Sequence, residues 1–81
     1  MELDLLLFAS LRDIAGAQTL KVDLPEGATV SELLEMIAQN HPEFAPKLPH
    51  VRVAIGNEFA QPGDTIPANQ EIALIPPVSG G

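Results

Sequence analysis

The chain contains no cysteine. That excludes disulfides, zinc–thiolate sites and any cysteine nucleophile, and fits a reducing cytoplasmic compartment. Basic residues are scarce: 4 Lys and Arg stand against 11 Asp and Glu, for a formal charge of −7. Nucleic-acid binding is excluded on that balance, because neutralising phosphates takes clustered cations. A basic protein surface is instead a fitting partner, although an acidic balance also serves solubility alone. No long apolar run is present. Leu5 to Ala9 is far too short to cross a bilayer, and Glu2 and Asp4 occupy the place of a signal peptide's basic region. No membrane partner is expected.

The usual catalytic constellations are missing too. His41 and His50 are the only imidazoles, without metal-ligand spacing. Ser10, Ser31 and Ser79 lie outside any Gly-x-Ser-x-Gly context. Before the last two residues, glycine occurs singly at 16, 27, 56 and 63, so no loop can cradle phosphate. A chain of this kind binds no cofactor of its own, and any nucleotide must be held by a partner.

What the chain does have is a pattern for one compact domain. Its 81 residues are 46% apolar, enough for a core. Leu3, Leu5 and Leu7 alternate with Asp4, Leu6 and Phe8, which predicts a strand with one fully apolar face. Ser10 to Gly16 reads as a link able to form a short helical turn, anchored by Leu11 and Ile14. Leu20, Val22 and Leu24 predict a second strand. Thr29 and Glu32 have capping-box spacing, and Val30, Leu33, Leu34 and Ile37 form one helical stripe behind them. His41-Pro42 stops that helix, and His41 reads as its C-terminal residue. A proline-punctuated link to Pro49 follows, with Phe44 and Leu48 pinned to the core. Val51, Val53 and Ile55 predict a third strand, Gly56-Asn57 a tight turn into a short strand around Phe59, Pro62-Gly63-Asp64 a turn, and Glu71 to Ile75 the last strand.

The order β-β-α-β-β-β predicts an α+β fold: one main helix on one face of a mixed sheet of about five strands, with the first and last strands paired centrally and in parallel. The domain should span residues 1–75 and a flexible tail 76–81.

That tail reads Pro76-Pro77-Val78-Ser79-Gly80-Gly81. Two prolines fix φ and stop sheet pairing. Two glycines without Cβ can enter a slot too narrow for other residues. Extended, the segment reaches roughly 15–20 Å, at about 3.3 Å per residue. It reads either as a frayed terminus or as an arm that carries a carboxylate into a partner. Arg12 and Arg52 likewise read either as interface contacts or as plain surface. Phe8, Phe59 and Ile75 each fall near a strand end; burial is their default, and exposure would mark a docking patch.

With strand order, capped helix and Gly-Gly ending together, the chain resembles the ubiquitin-like β-grasp sulfur carriers, most closely the branch serving as small subunit of molybdopterin synthase. The resemblance is carried by Ile75-Pro76-Pro77-Val78-Ser79-Gly80-Gly81, by Leu7-Phe8-Ala9-Ser10-Leu11-Arg12, and by Val53-Ala54-Ile55-Gly56-Asn57 leading to Gly63-Asp64. It implies that the Gly81 carboxylate is adenylated with ATP by a partner of the ubiquitin-activating type. A sulfur donor protein then converts it to a thiocarboxylate, and Gly80 threads the tail into the synthase large subunit, where sulfur passes to a pterin. Phe8, Phe59, Ile75, Pro76, Pro77, Val78 and Arg12 would contact that subunit. A carrier for thiamin synthesis and a ubiquitin-like protein modifier remain the alternatives.

Overall fold

The chain was analysed as a computed structural model that describes residues 1–76. It contains five strands, β1 (Glu2–Leu7), β2 (Thr19–Asp23), β3 (Arg52–Ile55), β4 (Glu58–Phe59) and β5 (Ile72–Ile75), and two α-helices, α1 (Ala9–Ala15) and α2 (Val30–Asn40). Short 3₁₀ turns at Pro42–Phe44 and Leu48–His50 fill the proline-rich link. The strands form one sheet in the order β2-β1-β5-β3-β4. β1 and β5 pair in parallel at its centre, with Leu5 opposite Ile72 and Leu7 opposite Leu74. All other pairings are antiparallel. The mixed sheet and its central parallel pair agree with the expectation from strand order.

Period-two alternation decides which side chains meet. Leu3, Leu5 and Leu7 of β1, Val22 of β2, Val53 of β3 and Ile72 and Leu74 of β5 are buried in one cluster. Val30, Leu33 and Ile37 of α2 close over it, while Leu34 is only partly buried at the edge of the stripe. Phe44 and Leu48 enter the same cluster from the 3₁₀ turns, as expected. Ile66 does so as well, although it lies in an irregular segment with no periodic signal.

The start of α2 is satisfied twice over. The Thr29 backbone N–H donates to Glu32 Oε1 at 2.9 Å, and the Glu32 N–H donates to Thr29 Oγ1 at 3.2 Å. That is the reciprocal capping box the spacing predicts. Two further amides of the first turn are taken by the β4–β5 connection: Val30 N–H donates to Asp64 C=O at 3.0 Å, and Ser31 N–H to Pro62 C=O at 3.0 Å. The same connection is fastened by the Ile66 N–H, which donates to Ala28 C=O at 2.9 Å. Thr29→Ala should therefore cost about 1 kcal/mol, read as a lower urea midpoint with an unchanged denaturant slope. An unchanged midpoint would show that the loop carbonyls hold the helix start unaided.

The link after β1 departs in part from the sequence reading, whereas the tight turn at Gly56-Asn57 lies where that reading puts it. The link after β1 is a seven-residue helix, α1, closed by Gly16 at φ 69°, whose N–H donates to Arg12 C=O at 2.9 Å. Of its two expected anchors only Leu11 is buried; Ile14 is exposed at 36%. A helix this short offers the core little more than one turn's stripe, and Leu11 occupies it. At the other hairpin, Gly56 adopts φ 64° between β3 and β4 and donates its N–H to Glu71 C=O at 2.8 Å. The left-handed conformation is the reason for glycine there.

Candidate docking face at the root of the C-terminal segment

α2 covers one face of the sheet. On the other face, the registers set Leu6 of β1 beside Ala73 of β5, Ala73 beside Ala54 of β3, and Ala54 beside Phe59 of β4. This is a row of apolar side chains crossing four strands. The next row holds Ile75 opposite Arg52. Alanines in the two middle strands keep the floor low, so Phe59 stands proud at 53% exposure. Phe8, just past the end of β1, is 42% exposed. Ile75 is half-buried.

The position of Phe8 has a backbone cause. Ala9 takes φ 50°, the only positive φ of a non-glycine residue among those described. That turn reverses the chain between Phe8 and Leu11, leaving Phe8 outside while Leu11 returns to the core. A left-handed alanine costs about 1 kcal/mol, a strain of the kind that collects where surfaces are used.

The three apolar residues singled out from the sequence thus lie at the surface or half-exposed rather than in the core. Pro76 is buried at the end of β5. Arg12 is exposed on α1 and makes no ion pair among the described residues. Gly80, Gly81, Pro77 and Val78 lie outside the described residues.

Sequence reading did not find the role of Arg52. Its guanidinium carbon lies 4.1 Å from the centroid of the Phe59 ring, a cation–π stack across β3 and β4. The stack depends on strand register, which residue spacing does not encode.

The described residues hold nothing that resembles an internal catalytic centre. They include no cluster of three His, Cys, Asp or Glu suited to a metal. They contain no buried polar or charged side chain. His41 serves as the C-cap of α2, its N–H donating to Ile37 C=O, and its ring meets Phe44 edge-on at 6.2 Å. No helix among the described residues is long and apolar enough to cross a membrane. The central strand β5 ends at Ile75, close to an exposed apolar patch.

Comparison with known proteins agrees with this geometry. The ThiS family profile matches residues 5–81. The small archaeal modifier protein 1 of Haloferax volcanii is 36% identical over 93% of this chain and 95% of its own length. The molybdopterin synthase sulfur carrier subunit of Chlamydomonas reinhardtii is 32% identical with both chains covered in full. The crystal structure of the Haloferax volcanii modifier superposes with a TM-score of 0.80 at 35% identity, covering 100% of both chains. The chain therefore belongs to the ThiS family, of sulfur-carrier type, and has the ubiquitin-like β-grasp fold.

Proposed function

We propose that this chain is the sulfur-carrying subunit of molybdopterin synthase. In this reading the reactive group is the Gly81 carboxylate, and the folded body exists to present it. A carboxylate is ionised at neutral pH and resists nucleophiles. An adenylyltransferase of the ubiquitin-activating type joins it to AMP at the expense of ATP. A sulfur donor protein then supplies sulfur at the sulfide level, which forms the C–S bond as the acyl–oxygen bond breaks and AMP leaves, giving a thiocarboxylate. This explains how a chain with no cysteine can carry sulfur. The tail enters the large subunit, where two deliveries build the dithiolene of molybdopterin, and the large subunit supplies the groups that stabilise developing charge. ATP belongs to the activating partner, and the carrier itself holds no cofactor.

The observation that carries this reading is the position of the apolar patch. Ile75 is the last residue of the central strand; its partner across β3 is Arg52, whose guanidinium lies over Phe59, the most exposed phenylalanine of the chain. A partner that grips this patch holds the root of the C-terminal segment in the same contact. Full-length relatives named as molybdopterin synthase sulfur carrier subunits support the choice of acceptor.

Intact-mass spectrometry tests it. After incubation with the activating enzyme, ATP and a sulfur donor, the chain should gain the sulfur-for-oxygen mass difference at Gly81, and lose it again with the large subunit and pterin substrate. Persistent recovery of the oxygen acid alone would end the proposal.

A second reading is favoured by the 36% identity to a protein named as a modifier. There, activated Gly81 would be joined to a lysine amine of another protein. Adducts that survive thiol and hydroxylamine treatment would distinguish this isopeptide chemistry from sulfur transfer.

A further inference from the structure

Arg52 is out of place on this molecule. The chain has only four basic residues among eleven acidic ones. Lys21, the cation on β2, has an acid, Asp4, as its register partner on β1, although the two form no ion pair among the described residues. Arg52 has no such neighbour: its cross-strand partner on β5 is Ile75, and it makes no ion pair among the described residues. Instead it is held over the Phe59 ring at 4.1 Å. The aromatic face fixes where the guanidinium sits but leaves its in-plane N–H donors without a carboxylate.

This position has a consequence for docking. Any partner that covers Phe59 and Ile75 also takes water away from Arg52. A cation buried without a counter-charge is strongly unfavourable, and a surface that buries one must offer an acceptor of opposite sign. We infer that Arg52 is a specificity-determining residue of the docking face, and that the synthase large subunit meets it with a carboxylate set in an apolar wall. The inference rests on the proposed function and adds the chemistry of the contact. It also separates two roles of charge. The net −7 favours encounter with a broadly basic surface, whereas Arg52 demands one acid at a defined place within it. A surface that is basic throughout would be drawn in and then rejected, which is the logic of discrimination by an unpaired charge.

Calorimetric titration of the large subunit with wild-type chain and Arg52 variants tests this. Arg52 is exposed, so each variant should keep the wild-type melting temperature. Arg52→Met retains apolar length over Phe59 but removes the charge; it should weaken binding by about 30-fold or more, and Arg52→Glu further still. Lysine substitution of the large subunit's acidic interface residues, one at a time, should find one position that restores binding to Arg52→Glu and not to the wild type. Wild-type affinity retained by Arg52→Met would overturn the inference, leaving Arg52 a packing residue only. So would a scan in which no lysine restores Arg52→Glu. Failure of the wild-type chain to bind the large subunit at all would instead overturn the proposed function, and the inference with it.

Discussion

Deletion of Gly81 should abolish sulfur delivery while leaving the folded domain intact. The shortened chain still ends in a glycine carboxylate, so the chemistry of the group is unchanged and only its reach differs. One extended residue is about 3.3 Å. Misplacement of a reacting atom by about 1 Å can already cost about 10²-fold. Transfer to the pterin substrate should therefore fall by about two orders of magnitude or more. Among the described residues the core cluster reaches no further along β5 than Leu74, so the melting temperature should stay within about 3 °C of wild type. Gly80→Val makes the complementary test. It keeps the length but adds a β-branched side chain where the proposed slot admits none, and it too should stop transfer without altering stability. Wild-type turnover by either variant in a single-turnover sulfur-transfer assay would show that the terminus is not threaded into a closed site.

The second large effect is on the body that holds the terminus. Leu74 is fully buried, at 0% exposure, in the central strand between Leu7 of β1 and Val53 of β3. Leu74→Ala would leave a cavity there, at a cost of about 3 kcal/mol. An 81-residue domain has about 4–12 kcal/mol in total. The substitution thus removes a large part of the stability, and calorimetry should record a fall of about 12–24 °C in melting temperature. The same strand carries Ile75 and leads to the C-terminal segment, so the variant should also bind partners less well once partly unfolded, and recover when cooled. A fall of only a few degrees would mean that neighbouring side chains collapse into the space, and that β5 is less tightly packed than its burial indicates.

Much of this molecule is readable from local pattern. The alternation Leu3, Leu5, Leu7 specifies both a strand and its buried face. Thr29 and Glu32 specify the start of the main helix because a capping box involves only neighbours three residues apart. The central parallel pairing of β1 and β5 was expected from element order alone, since one helix must be laid against one sheet. The readings that missed are those where a local pattern has no say. Ile14 repeats with Leu11 at helical spacing, yet the core had room for only one of them. Ile66 has no periodic neighbours, and three backbone hydrogen bonds between its loop and the start of α2 bring it inside.

The sequence by itself determined the kinds of chemistry open to this protein. It has no cysteine, few cations and no convergent acids or imidazoles, and the chemistry proposed for it is therefore placed at Gly81 rather than on the folded body. Tertiary structure decided which surface accompanies that end. An eleven-residue helix can cover only one face of a five-stranded sheet, and its landing on the Leu5 side left Phe59, Ile75 and Arg52 together on the other. Residues that meet across strands β3, β4 and β5 are separated by up to 23 positions, from Arg52 to Ile75. Their contact is made by hydrogen-bonded register, a long-range property that no spacing along the chain expresses.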